Sequence, residues 1–301
     1  MLIQRINKTS GSVRNEFRQL SDSKTTRGTV VELNNSDVAE VMTFLNVRPV
    51  HTVVMASFIR DNGIISELNR GVFYAYRNGQ GVLEGVALIG HSTLIEARSE
   101  DAIYAFANKA KASRVAINLI MSEADDASRF WQYYAGEASP RLTCTELLFE
   151  SSFPMLVRDC EYTIRLATQD ELMQVAEAHA EVAFLESGTD PMVKDRTGFL
   201  ERSARRIEMG RTFVVIEDGK LLFKADIIAE ADGIAYLEGV YVAPESRGKG
   251  IGAKCLSKLT LMLMGRAEKV CMLSNVGFET AHRSFTKAGF HVSGRCTTLF
   301  V

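Results

Sequence analysis

The sequence predicts a mixed α/β fold laid down twice in succession. Three observations carry that expectation. Strand-length apolar or alternating runs interleave with longer runs of helical period from residue 29 to residue 301. Their order is met once before residue 155 and again after residue 160. A chain of 301 residues is also long enough to bury two cores.

In the first half, TVVEL (29–33) reads as a strand, SDVAEVMTFL (36–45) as a helix and PVHTVVMASFI (49–59) as a second helix. The stretch 72–90 alternates on both sides of Asn78-Gly79, a hairpin signal, and STLIEA (92–97) follows as a strand. DAIYAFANKAKA (101–112) has helical period, VAINLIM (115–121) is a strand, ASRFWQYYAG (127–136) a helix, and RLTCTELLFE (141–150) a closing strand.

The second half repeats that order. YTIRLA (162–167) is a strand, and the helix of 168–187 opens on a capping box, Thr168 to Glu171. A second helix covers 195–210, and 212–230 is a hairpin turning at Asp218-Gly219. IAYLEGVYV (234–242) is a strand, followed by a glycine loop and a helix that Gly265 stops. KVCMLSN (269–275), ETAHRSFTKAG (279–289) and the closing strands to Val301 complete the copy. The seam falls in ESSFPMLVRDCEY (150–162), and residues 1–28 read as a polar arm.

Composition excludes several classes. The net charge is −2, so bulk electrostatics do not point to a nucleic-acid or membrane partner. The opening MLIQRINKTSGSVRNEF has no apolar core of signal-peptide length, so no leader is expected, and no apolar run reaches ~18 residues, so no membrane span is expected. Five scattered cysteines without C-x-x-C spacing read as reduced thiols in a cytoplasmic protein, with no metal site.

The chemistry concentrates in YVAPESRGKGIGAKC (241–255), where a strand pattern changes into a helical one. Glycines let a ligand approach the backbone, and the amides and dipole of the following helix favour an anion. From Ser246 to Ala267 there is no acid, but Arg247, Lys249, Lys254, Lys258 and Arg266 are present. A nucleoside-triphosphate loop requires a lysine-serine or lysine-threonine ending that no register supplies. Gly248, Gly250 and Ala253 fit the letters of a dinucleotide fingerprint. However, the APES spacer, the Ser274-Asn275 end of the next strand and the preceding antiparallel hairpin do not fit its context.

RGKGIG (247–252) matches the R/Q-x-x-G-x-G/A signature, after the lead-in YVAPE and before A-x-x-x-F-x-x-x-G-F ending at Phe290. On these residues the stretch 162–301 resembles the GNAT acyltransferase superfamily, and the chain resembles a tandem GNAT protein. The resemblance implies a degenerate copy over 29–155 and an acetyl-CoA-binding copy over 160–301. Each would be a central mixed, mostly antiparallel sheet flanked by helices. It also implies a V-shaped split between two central parallel strands. Backbone groups of Val240, Tyr241 and Val242 would pair with the pantetheine arm. Arg247, Gly248, Lys249, Gly250, Ile251, Gly252 and Ala253 would wrap the pyrophosphate.

Acetyl transfer to an amine needs a neutral nucleophile, a polarised thioester and a proton for the thiolate. Glu238, in LEG on the strand before the loop, is the candidate base, or an anchor for a cationic substrate. Backbone donors near Val240 and Tyr241 would polarise the carbonyl. The acid is the missing part. Phe285 stands where the resemblance places a tyrosine, and Phe278 where it places an asparagine, leaving water, His282 or Tyr241. His179 reads as a packed histidine. Glu177, Glu181, Glu186 and Asp190 read as a solvated face or an attractor for an amine. The side on which Asp226 points is open.

The first half has no glycine loop, and Glu100 and Asp101 occupy the place where phosphate would need donors. It is expected to be a non-catalytic partner that shapes the cleft or only covers an edge. Two functions remain open. One is an acetyl-CoA-dependent N-acetyltransferase acting by direct attack on a small-molecule or protein amine. The other is a non-catalytic acyl-CoA-binding regulator.

Overall fold

The computed structural model describes residues 28–153 and 157–301. The arm expected over 1–28 lies, save for Gly28, outside them, as does part of the seam.

The first half supplies β1 (Thr29–Glu32), β2 (Gly71–Arg77), β3 (Leu83–Gly90), β4 (Ser92–Ala97), β5 (Leu119–Glu123) and β6 (Leu142–Ser152). The second supplies β7 (Arg165–Leu166), β8 (Thr212–Glu217), β9 (Lys220–Ala231), β10 (Ile234–Val242), β11 (Lys269–Asn275) and β12 (His291–Phe300). Helices α1 (Val38–Leu45), α2 (Pro49–Asn62), α3 (Glu100–Ser113) and α4 (Asp126–Ala135) belong to the first half. The second adds α5 (Leu172–Ser187), α6 (Pro191–Lys194), α7 (Arg196–Glu208), α8 (Ile251–Leu263) and α9 (Glu279–Lys287).

Local chemistry explains most of these elements. Asp218-Gly219 and Asp232-Gly233 both have positive φ at each residue, the turn that closes a two-residue hairpin without splaying its strands. The Thr168–Glu171 capping box forms as expected, an arrangement worth about 1 kcal/mol. Pro49 starts α2 at a position whose amide has no helical acceptor. The short α6 was not expected; Asp190 caps it, its carboxylate accepting from the Met192 amide at 2.8 Å.

The two halves share a single sheet in the order β1-β2-β3-β4-β5-β12-β6-β11-β10-β9-β8-β7. Only β4–β5 and β10–β11 are parallel neighbours among the described residues. The closing strands are exchanged. β6, from the first half, lies between β12 and β11, with Glu146 opposite Asn275 and Ser152 opposite Lys269. β12, from the second, pairs with β5, with Cys296 opposite Glu123 and Phe300 opposite Leu119. Two separate sheets were expected, and one continuous sheet is found. Each exchanged strand covers an edge that the other half would otherwise leave open. The chain seam is therefore not a seam in the sheet.

Alternating residues sort the two faces. Leu148 and Tyr236 join a core with α1 and α2, whereas Phe149 and Leu237 join one with α8 and α9. Helix α2 belongs to the first half by sequence, yet it packs on the second half's strands. Its Val53, Met55, Ala56 and Ile59 meet Ala229, Ala231, Ile234, Tyr236 and Cys271. Burying each large aliphatic side chain contributes about 1.5–3 kcal/mol, so this joint core binds the halves firmly. The Asp61–Arg211 ion pair at 2.5 Å and the Glu230 amide donating to Ser57 Oγ at 3.2 Å fix its edge.

Candidate functional site

β10 and β11 run side by side from Ile234–Lys269 to Leu237–Met272 and then part. On its other edge β10 is irregular. Glu238 lies opposite Asp226 and Tyr241 opposite Lys224, so Gly239 and Val240 face Ala225 alone. This is a β-bulge, with Gly239 at φ +60°. The parting opens a cleft of ≈ 780 Å³ walled by β10, β11, the glycine loop, α9 and the end of α5. The V-shaped split implied by the resemblance is thus present in the second half.

Of the candidate residues, Glu238, Val240, Tyr241, Val242, Arg247, Gly248, Gly250, Ile251, Gly252 and Ala253 line this cleft. Lys249 does not; it stands exposed outside the wall. Gly248 and Gly250 have φ of +78° and +80°, and a Cβ at either would meet nothing within 4 Å. The backbone there is bent towards open space. Gly252 has another role, since its Cβ position lies 3.2 Å from Val242. The first amides of α8 have no carbonyl one turn back within the helix, and their residues Ile251, Gly252 and Ala253 line the cleft.

The basic character of this region is smaller than its sequence suggests. Lys254 pairs with Glu161 at 3.0 Å, Lys258 donates to the Tyr162 carbonyl at 2.6 Å, and Arg266 pairs with Glu230 at 2.9 Å. Lys254 and Lys258 tie the inter-half connection to α8 and are not free for an anion. Arg247 lines the cleft but folds back on Glu181 at 2.6 Å and on the Val242 carbonyl at 2.9 Å. The cleft gains cations that sequence reasoning missed, Arg283 and Lys287 on α9. Their spacing of four places them on one helix face, a signal that was available.

The opposite end is acidic. Glu186 of α5 and Glu238 line it. Burial, then Glu238 and Glu146, push the Glu186 carboxyl up to about 8. Burial also raises Glu146, against the pull of the Thr298 hydroxyl that it accepts. Glu146 was invisible to sequence reasoning as a site residue because β6 carries it in from the first half. Glu181 is engaged by Arg247 and Asp190 by α6, so of the four acids flagged around α5 only Glu186 faces the cleft.

Phe285 lines the cleft and packs edge-on against Phe149 at 5.4 Å. His282 is not in the wall; its Nε2 lies 3.2 Å from Ser274 Oγ and its ring 5.1 Å from Phe149. The hydroxyl-bearing residues Tyr241, Ser246, Ser274, Thr280 and Ser284 are in the wall. His179 is packed, as expected, stacked on Phe199 at 5.4 Å, and burial lowers its pKa. Asp226 points away from the cleft to Lys224, Arg206 and Thr212. Burial disfavours its charge, but Lys224 and Arg206 overcome that and hold the carboxyl below its usual range.

The equivalent parting in the first half is filled. Arg48, at the start of α2, grips Glu96 through two bonds of 2.9 and 2.7 Å and also reaches Glu123. Ser122 Oγ donates to the Ile95 carbonyl at 2.8 Å, bridging β4 and β5. A cavity of ≈ 30 Å³ remains. Glu100 opens α3 and holds Arg129 at 3.0 Å and Tyr133 at 2.6 Å, which leaves no anion seat there.

Among the described residues no group of three or more His, Cys, Asp or Glu side chains is placed to hold a metal ion. Nor is any helix among them long and apolar enough to cross a membrane.

Residues 208–292 match the family model of the acetyltransferase (GNAT) domain. No curated protein sequence matches the chain. Among solved structures, a Drosophila protein superposes with a TM-score of 0.67 at 12% identity, over 90% of this chain and 98% of its own. A GNAT-family acetyltransferase from Colwellia psychrerythraea gives 0.55 at 14% identity, over 91% and 99%. A tandem GNAT protein from the clavulanic acid biosynthesis pathway gives 0.54 at 13% identity, over 91% and 98%. The fold of the chain is the GNAT fold, and the family match falls on the half that holds the open cleft.

Proposed function

We propose that the chain is an N-acetyltransferase that moves an acetyl group from acetyl-CoA to a primary amine by direct attack in a ternary complex. The reading rests on one observation. A single cleft carries free helix amides and an open glycine loop at one end and two carboxylates at the other. Residues 160–301 supply the catalytic groups, and 29–155 support the site from behind, the exchanged β6 packing Phe149 on Phe285 and bringing Glu146 near Glu186.

The amides from Gly248 to Ala253 suit a pyrophosphate, and Arg247 supplies charge once released from Glu181. Lys249, outside the wall, contributes only to the surrounding field. The backbone of Val240, Tyr241 and Val242 has lost its β11 partner and is available to the amides of a pantetheine arm. Glu238 takes the proton from the attacking amine, directly or through water, while the bulge amides stabilise the oxyanion. The Tyr241 and Ser274 hydroxyls are candidates in the wall to carry a proton to the leaving thiolate, beside those of Ser246, Thr280 and Ser284. No metal is required. The acidic end favours an amine that arrives as a cation, whether a small molecule or a protein side chain. The free cysteines suit a reducing, cytoplasmic setting.

A second reading is favoured by Phe285, which cannot give a proton: an acyl-CoA-binding regulator without turnover. Thiol release from acetyl-CoA over a panel of amines, with wild type and Glu238→Gln, separates the two. The expected result is turnover with a cationic amine, lowered at least ~10²-fold in Glu238→Gln with unchanged CoA affinity. Tight CoA binding with no turnover on any acceptor would overturn the enzymatic reading, and full activity in Glu238→Gln would remove the base from it.

A further inference from the structure

Beneath the bulge lies a buried charged cluster that no step above uses. Lys224 and Asp226 are both fully buried on β9. One oxygen of Asp226 accepts from Lys224 Nζ at 2.5 Å and Arg206 Nη1 at 3.0 Å, and the other from Thr212 Oγ1 at 2.8 Å. A buried charge pair of this kind seldom adds stability over an apolar pair of the same size, so its presence asks for another reason.

The geometry of the ammonium supplies one. Lys224 has three hydrogens to donate. Asp226 takes one; His179 Nδ1 at 3.3 Å and the Gly239 carbonyl at 3.4 Å stand where the other two reach. The same Nδ1 lies 3.4 Å from the Asp226 oxygen that Lys224 engages, so the imidazole rests against both members of the pair. The Cβ that Gly239 lacks would fall 2.9 Å from both Lys224 Nζ and His179 Nδ1. Only glycine lets the main chain rest on this ammonium, and its φ of +60° is the conformation glycine adopts without strain.

A peptide unit is planar and trans, so the Val240 N–H points opposite to the Gly239 carbonyl. With that carbonyl turned onto Lys224, the Val240 N–H is turned away from the cluster, on a residue that lines the cleft. We infer that Lys224 is a positioning residue for acyl transfer: its ammonium fixes the Gly239–Val240 peptide so that the Val240 amide donates to the thioester oxygen. The inference rests on the acyl-transfer reading above. Donation to the carbonyl end of an amide also polarises its N–H, which strengthens the bond as negative charge gathers on the oxygen. The buried cluster thus keeps one donor aimed before the substrate arrives.

The test uses acetyl-CoA labelled with ¹³C at the thioester carbonyl, bound to the full chain and read by difference infrared spectroscopy. In wild type the bound carbonyl band is expected below that of free acetyl-CoA, the signature of a hydrogen bond to that oxygen. In Lys224→Met, Asp226 keeps Arg206 as its partner. Acetyl-CoA affinity should stay within about threefold, because the glycine loop is untouched. The band should return towards the free value, and kcat should fall at least ~10-fold with acceptor KM unchanged, as for an oxyanion donor misaimed and not deleted. The double variant Lys224→Met/Asp226→Asn removes both charges together and is expected to behave in the same way, so the reading does not hang on one variant folding. A band that stays shifted in a variant that binds acetyl-CoA overturns the inference alone. Failure of wild type to bind acetyl-CoA overturns the acyl-transfer reading and the inference with it.

Discussion

Replacing Glu186 by Gln should make the protein more stable at alkaline pH while weakening its hold on a cationic acceptor. An ordinary glutamate ionises near 4.5, whereas burial and the neighbouring Glu238 and Glu146 push Glu186 up to about 8. Between these values the folded chain keeps a proton that the unfolded chain has released. Stability therefore declines as pH rises through this window and is level below and above it. At ~1.4 kcal/mol per pH unit the full span is worth at most ~5 kcal/mol. Glu186 is only part-buried and is perturbed by its carboxylate neighbours, so about 1–2 kcal/mol is expected at this single site. Gln has no charge to gain. Urea unfolding at pH 5, 7 and 9 reads the effect, with the Gln variant drawing ahead of wild type by about 1–2 kcal/mol between pH 5 and pH 9. In an assay with a cationic amine at pH 9, where Glu186 is ionised, the acceptor KM should rise about 3- to 10-fold, with CoA affinity unchanged, whereas at pH 6 the two proteins should differ little. A stability difference that is the same at all three pH values would refute the assignment of a carboxyl held protonated at Glu186.

Two further outcomes are expected. Gly250→Glu puts a side chain at φ +80° and a negative charge into the open space before α8. CoA affinity by calorimetry should fall at least ~100-fold, and an unchanged affinity would remove the loop from the binding site. Segments 29–155 and 160–301 made separately each lose the strand that covers their edge, and the second also loses α2 from the core over Ile234 and Tyr236. Each alone should self-associate on size exclusion, and co-expression should restore a 1:1 complex. A monomeric 160–301 segment with a single sharp thermal transition and the full chain's CoA affinity would contradict the exchange as a stabilising feature.

Much of the architecture was legible because it is written locally. Periodicity marked the strands and most helices, Asp218-Gly219 marked its turn, and the Thr168–Glu171 box marked the start of its helix to within the 3₁₀ turn that leads into α5. RGKGIG gave the cleft its loop, and of Glu238 and the residues expected to meet acetyl-CoA all but Lys249 reached the wall, whereas His282, Glu177, Glu181 and Asp190 did not. Lys249 failed for a local reason that letters cannot express. Gly248 and Gly250 both take left-handed conformations, and the side chain between them is thrown outwards. Lys254 and Lys258 misled in the same manner: their charge was visible, but the connection at 160–162 that engages it was not.

By itself the sequence determined the period of each element, the glycine loop, and the absence of a second such loop in the first half. These depend on neighbours within a few residues, where residue type and spacing dictate conformation. Tertiary structure alone decided that β6 and β12 change places, because both strands alternate in the same way and either edge would accept either one. From that exchange comes Glu146 beside Glu186 and Glu238, three carboxylates separated by many residues in the chain. The pairing of Lys224 with the Gly239 carbonyl across two strands was likewise decided there, through a bulge that shifts the register by one residue. Register and edge choice are set by the whole sheet at once, and no short stretch of sequence contains them.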